Sequence, residues 1–343
     1  FVLKPQYFLI TLLVIISFFL AQLFFPFMKP IIVAFLLAIA TNNINRFLHT
    51  NFPNQLIVAI CMTLGLGVLF FAPIAYFMFV MIDFFGSVDQ AHLILAIEKI
   101  KLAINTLPAD LHFIKQSIDE SFLSVGSDEL LQKVLAYSGQ FGQMTARFMF
   151  DMVLILVFYF LFNLYGYEIS NFIKDILPFR KQDTNELLYE TANVMSVVFY
   201  SILVTAIFEG FLFGIFIHFY GYDAVLFGIL YGFASLIPIV GGAIMWVPIA
   251  GYEYIHGNQT NAIVIAIYTI TVISVIADTF IKPIIIKYIN VKVVQTPTNV
   301  NELLLFFAIV AGLSTFGFWG MIIGPALVTF FISVLKSLKQ FME

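Results

Sequence analysis

Glu209 is the residue of this chain best placed to do chemistry. It stands among Ile207, Phe208, Gly210 and Phe211, near the middle of the apolar run 197–219. Charge is costly at the centre of a bilayer, so an acid kept there is a functional candidate by default. It can exchange a proton or hold a cation. The bland alternative is a neutral, hydrogen-bonded acid that joins helices. Asp278 lies late in the run 261–281, with Lys282 one turn on and then Pro283. Their spacing permits an i,i+4 ion pair at a membrane edge, worth about 0.2–0.5 kcal/mol. A proline that frees helical carbonyls beside that pair suits a gate or an ion site equally well. Glu209, Asp278, Lys282 and Pro283 form the candidate coupling set.

Two uncharged stretches carry the second signal. One reads Ser235-Leu236-Ile237-Pro238-Ile239-Val240-Gly241-Gly242, with Pro248 beyond. The other reads Gly312-Leu313-Ser314-Thr315-Phe316-Gly317-Phe318-Trp319-Gly320, followed by Gly324-Pro325. Glycine opens backbone conformations closed to other residues, and proline removes a helical donor. Non-helical backbone survives at membrane depth only where protein or a watery cavity satisfies it. These tips, with Ser235, Pro238, Gly241, Gly242, Ser314, Gly317, Gly320, Gly324 and Pro325, are expected to line a pathway, with Gly241, Gly242, Gly317 and Gly320 at close backbone approaches that are open to positive φ. Arg147 and Asp151 read as a snorkelling interfacial pair, and His218 and Asp223 as the brackets of a turn.

The elements that must position these residues are membrane helices. Hydrophobic residues make up 62% of the chain and charged residues 10%, with a mean hydropathy of +1.02. A soluble domain carries roughly 25% charged residues, so the solvent for this surface is lipid. The net charge of −4 is too small to suggest nucleic acid as a partner. The single cysteine, Cys61, excludes an internal disulfide and a cysteine-rich metal site. No HExxH, GxSxG or GxxxxGK[ST] is present and the histidines are scattered, so the expectation is no enzyme, no cofactor and no metal.

A crossing needs about 20 apolar residues. Clear spans cover 7–27, 56–82, 148–166, 197–219 and 261–281, and 30–41 is a shorter apolar segment that either crosses at a thin point or pairs closely with the first. The runs 222–255 and 302–335 are each too long for one crossing and broken near the middle. They read as two Pro/Gly-broken helical hairpins. Residues 83–147 are polar with apolar positions Leu93, Ile97, Ile100 and Ile104 at helical spacing, an amphipathic helical segment outside the membrane. The division is 1–82, N-terminal helices; 83–147, the polar segment; and 148–343, the core with both hairpins. The class is all-α, polytopic and transmembrane.

Orientation follows the positive-inside rule. With three spans before residue 83, Lys4, Arg46, Lys174, Arg180, Lys181, Lys282, Lys287, Lys292, Lys336 and Lys339 fall on the cytoplasmic side, and only Lys29 in a short outer loop. Both termini are then cytoplasmic and 83–147 periplasmic, in a bacterial inner membrane. Helix-plus-hairpin occurs twice in opposite orientation on this count, the inverted-repeat plan of secondary transporters.

At these motifs the chain resembles the autoinducer-2 exporter family, also called AI-2E or PerM-like. The likeness rests on Ile237-Pro238 with Gly241-Gly242, on Asp278 with Lys282-Pro283, and on Gly317-Phe318-Trp319-Gly320 with Gly324-Pro325. Thr279 stands where the family often has Asn, and Glu209 where it commonly has an amide. The resemblance implies a membrane transporter of a small molecule or ion, assembled as a homo-oligomer, with a pentamer as one such size. It implies export of a small polar signal such as autoinducer-2, or sodium(lithium)/proton antiport through Glu209 and Asp278. A membrane scaffold that uses 83–147 to bind partners is the reading from another class.

Overall fold

The computed structural model describes residues 5–87, 127–176, 181–237, 241–284, 287–288 and 302–342, and every regular element among them is helical. Pro238, Leu93, Ile97, Ile100 and Ile104 lie outside the described residues. Six helical stretches are long and apolar enough to cross a membrane: Tyr7–Ala40, Gln55–Val80, Gly142–Leu164, Ala192–His218, Gln259–Ile284 and Leu303–Leu335. The protein is an all-α polytopic membrane protein.

The first helix, α1 (Pro5–Ala40), corrects the reading of 7–27 and 30–41 as two segments. It is one helix of 36 residues with Pro26 and Pro30 inside it. Lipid offers no hydrogen bonds, so an apolar run keeps its helix even through proline. Leu13, Leu23 and Phe25 are 65%, 66% and 77% exposed, as expected of a helix that is apolar all round and solvated by lipid. Then come α2 (Asn42–Asn51) and α3 (Gln55–Leu66), whose Asn54 cap accepts from Leu56 N at 2.9 Å. A π-helical turn, Gly67–Phe71, joins α3 to α4 (Ala72–Ser87).

Beyond residue 126 come α5 (Ser127–Leu164), α6 (Gly166–Ile176) and α7 (Lys181–His218). The border drawn at 147/148 therefore falls inside one continuous helix. Gly221, at φ 85°, turns the chain into α8 (Ala224–Ala234), where Asp223 accepts from Leu226 N at 2.7 Å. Asp223 is an N-cap, in line with the structural role expected for it. Next are α9 (Gly241–Ile255) and α10 (Gln259–Tyr268), which runs on into a π-helix, Thr269–Ile281. The last pair is α11 (Glu302–Phe316) and α12 (Gly320–Met342), joined by a 3₁₀ turn at Gly317–Trp319.

Contacts divide the chain into two compact units. The first holds residues 1–67, 151–200 and 288–343. In it α12 packs on α11 and on α1. A polar ladder ties α1 and α2 to α5 and α7: Thr41 Oγ1 meets Tyr159 Oη at 2.8 Å, Asn45 Nδ2 donates to Asn163 Oδ1 at 2.7 Å, and Ser196 Oγ donates to Ala40 O at 2.6 Å. The second unit holds residues 68–150 and 201–287. Its core gathers Phe213, Ile217, Tyr231, Ile249, Ile265 and Ile273, with Phe213 stacked on Tyr231 and Phe216 on Tyr268.

In each unit two helices cross at backbone contact. In the second, Gly210 and Gly214 of α7 meet Gly228, Gly232 and Ala224 of α8; a Cβ at Gly210 would lie 2.5 Å from Gly228 O. In the first, Gly312 and Ala308 of α11 meet Gly320 and Gly324 of α12 just as closely. Without a hydrophobic drive between helices in lipid, small residues four apart let backbones approach and gain dispersion.

Candidate functional site

Glu209 sits on α7 within the apolar stretch Ala192–His218 and is 3% exposed. Lys282 follows the last residue of the π-helix, its side chain 38% exposed, and its Nζ lies 3.7 Å from Glu209 Oε1. The sequence placed both residues in the coupling set, and the structure brings Lys282 within reach of Glu209 on another helix. Lys282 caps a π-helical segment, a rare form that clusters at functional sites. Asp278 lies in the same π-helix, its side chain outside the described residues. Pro283 follows Lys282 directly and is exposed.

The tip residues fall in separate units. In the second unit, Ser235 Oγ donates to Gly232 O at 2.9 Å, closing the end of α8. Gly241 is buried so tightly that a Cβ would run into Ala234 O, and one at Gly242 would meet Tyr231 Oη at 2.7 Å. In the first unit Ser314 is exposed, whereas Gly320, Gly324 and Pro325 are buried and Pro325 O accepts from Thr329 Oγ1 at 2.7 Å. Of Gly241, Gly242, Gly317 and Gly320, expected at close approaches open to positive φ, Gly317 has positive φ, at 66°, and the other three are crowded at ordinary φ. Gly241 and Gly320 are glycine for lack of space.

Three features escaped the sequence reading. First, Asp151 of α5 pairs with Lys29 of α1 at 3.0 Å, not with Arg147. Lys29 lies in the stretch Tyr7–Ala40 and Asp151 in Gly142–Leu164, so among the described residues each unit holds a lysine–carboxylate bridge that involves a stretch of membrane length. The signal was in plain view, since Lys29-Pro30-Ile31-Ile32 recurs as Lys282-Pro283-Ile284-Ile285. Second, Glu253 of α9 is 6% exposed and accepts from Tyr222 Oη at 2.6 Å and from Asn258 and Asn261 Nδ2 at 3.0 Å each. The Tyr222 hydroxyl and the two amides hold its carboxyl below the ordinary range, against the pull of burial. This knot ties the start of α8 to the end of α9 and the start of α10. Third, an apolar cavity of about 430 Å³ lies along α7 and α8, lined by Ile207, Phe211, Ile229 and Phe233 and floored by the crossing glycines. Its lining is apolar throughout, which does not suit a polar solute.

Among the described residues no group of His, Cys, Asp and Glu could hold a metal ion. The arrangement can bind and release a proton or a cation at Glu209, with Lys282 as the tethered competitor.

The pattern that defines AI-2E family transporters matches residues 8–340. A Helicobacter pylori protein, named as a candidate transport protein, is 32% identical over 338 residues, spanning 98% of this chain and 97% of the relative. A Treponema pallidum protein with the same description is 27% identical over 216 residues, 60% of this chain and 49% of its own length. With a family match over almost the whole chain, a relative 32% identical along its length, and six membrane-length helical stretches among the described residues, this protein belongs to the AI-2E family of transporters.

Proposed function

We propose that this transporter exports a small polar signalling molecule such as autoinducer-2, with the Glu209–Lys282 pair as its coupling element. The observation that carries the reading is a carboxylate 3% exposed inside an apolar span with an ammonium 3.7 Å away. Protonating Glu209 removes the attraction that holds Lys282 and frees the end of the π-helix to move. Proton binding thereby biases one conformation over another, which is all that coupling requires. The Glu209→Gln variant keeps size and polarity, so it should insert and assemble yet lose the pH-dependent part of transport in proteoliposomes. Unchanged pH dependence would return Glu209 to a structural role.

The same carboxylate supports a second reading, Na⁺(Li⁺)/H⁺ antiport. A hard oxygen ligand can exchange a proton for a small cation, and Lys282 is already a cation at that place. Flux of autoinducer-2, Na⁺ and Li⁺, each with and without a pH gradient, separates the two readings.

In this proposal the pairs α8–α9 and α11–α12 are re-entrant hairpins of opposite orientation, in a bacterial inner membrane. A single crossing for α1 alters the count of spans, while the basic residues still favour a cytoplasmic side for 167–196, 282–301 and the C-terminus. The N-terminus then shares the periplasmic side with 83–147, in place of the cytoplasmic N-terminus expected from three spans. In a Cys61→Ala background, Ser124→Cys and Tyr7→Cys should both react with an impermeant thiol reagent on intact cells. Reaction of Tyr7→Cys only after the cells are opened would restore the cytoplasmic N-terminus.

A further inference from the structure

Most threonine hydroxyls among the described residues satisfy themselves within their own turn of helix, Thr145, which donates to Met78 Sδ, being an exception. Thr11, Thr41, Thr63, Thr269, Thr271, Thr315 and Thr329 each turn the hydroxyl back to the carbonyl four residues earlier, at 2.6 to 2.9 Å. That is the usual resort of a hydroxyl away from water. Thr205 departs from it. It is 4% exposed in the middle of the stretch Ala192–His218, and its Oγ1 makes no hydrogen bond among the described residues. The Oγ of Ser201, one turn earlier on α7, is buried in the same state. Glu209 comes one turn after Thr205, so Ser201, Thr205 and Glu209 share one face of the helix at successive i,i+4 positions.

We propose that Ser201, Thr205 and Glu209 form a hydrated polar file along α7 that delivers water and protons to the Glu209 carboxylate. The proposal rests on the reading of Glu209 as the coupling group. Successive members stand about 6 Å apart along the helix axis. This is a gap that a bridging water fills, and the whole row is too long to cage a single dehydrated ion. A water in such a place needs two to four polar partners, which consecutive hydroxyls and the carboxylate supply. The apolar cavity runs along α7 through Ile202, Leu203, Ala206, Ile207 and Gly210, and none of Ser201, Thr205 and Glu209 lines it.

Among the described residues, the ionisable groups on and against this helix include Lys282, Tyr268 and Tyr231, and Tyr200 stands beside Ser201 with its Oη buried. Lys282 faces it from the end of the π-helix at 3.7 Å. Tyr268 of α10 donates to Leu212 O of α7 at 3.2 Å, and Tyr231 of α8 stacks on Phe213. The Asp278 side chain lies outside the described residues.

The test uses the full-length protein in proteoliposomes, in a Cys61→Ala background. Ser201→Cys and Thr205→Cys should react with a small cationic methanethiosulfonate at least about tenfold faster than Val204→Cys, because the thiolate that reacts forms only where water reaches it. Thr205→Val, which keeps the shape and deletes the hydroxyl, should slow pH-driven flux about tenfold, a 1.4 kcal/mol rise in barrier, and Thr205→Ser should restore it. Cysteines as unreactive as Val204→Cys, or normal flux in Thr205→Val despite reactive cysteines, overturn the file. If in that case Glu209→Gln still abolishes pH dependence, the coupling site stands without it; if Glu209→Gln is also silent, both fall.

Discussion

Gly320→Ala should destabilise this protein by about 3 kcal/mol, the upper end for overpacking, although it adds only one methyl group. The Cβ would be driven into Gly312 O and C, which are backbone atoms that cannot swing aside. To accommodate it α11 and α12 must separate, and the contacts of Gly324 with Ala308 and Gly312 open with them. The informative comparison is Gly317→Ala, three residues away. There φ is 66° and a Cβ meets nothing within 4 Å, so the cost is the left-handed backbone alone, about 1–2 kcal/mol. Thermal unfolding of the two variants in detergent decides the matter. If Gly317→Ala proves the worse, conformational strain governs this tip and the close crossing is incidental.

Asp151→Leu should cost about 2.5–3.5 kcal/mol, the range for placing an uncompensated lysine at the centre of a membrane helix. The Lys29–Asp151 pair sits at 3.0 Å with side chains 43% and 20% exposed, and the surface they face on α1 is lipid rather than water. Removing the acid strands the ammonium, whereas removing both charges removes the penalty with the attraction. Lys29→Met combined with Asp151→Leu should therefore recover most of the loss, as replacement of a whole buried pair by apolar residues is often near neutral. A double-mutant cycle on unfolding in bicelles measures the coupling. Simple additivity of the two single effects would show that the pair contributes nothing beyond its separate side chains.

Much of this architecture is legible in the amino-acid sequence. Composition settles lipid as the solvent, and apolar runs locate the long stretches from 56–82 onward to within a few residues of Gln55–Val80, Ala192–His218 and Gln259–Ile284. An apolar run of that length has one stable conformation in a bilayer, so hydropathy alone suffices. The same logic misleads at α1. Pro26 and Pro30 end a helix in water, where a broken turn is hydrated, but in lipid an open turn costs more than a lost bond, and the helix continues.

The candidate site is half legible. Glu209, an acid in an apolar run, announces itself by charge, and the sequence offers it with Lys282, Pro283 and the glycine-rich tips as candidates. Local spacing points from Lys282 to Asp278, and that Glu209, far away in sequence, also comes within 3.7 Å of Lys282 is a matter of reach between helices. Likewise Asp151 takes Lys29, far away in sequence, over Arg147 on its own helix. In the sequence Thr205 looks like any other threonine; only in the folded chain is its hydroxyl turned from the helix carbonyl. Sequence determines which groups must be buried in lipid, because transfer free energy is a property of each residue; partners, close crossings and unmet hydroxyls depend on distances between helices, and only the tertiary structure decided those.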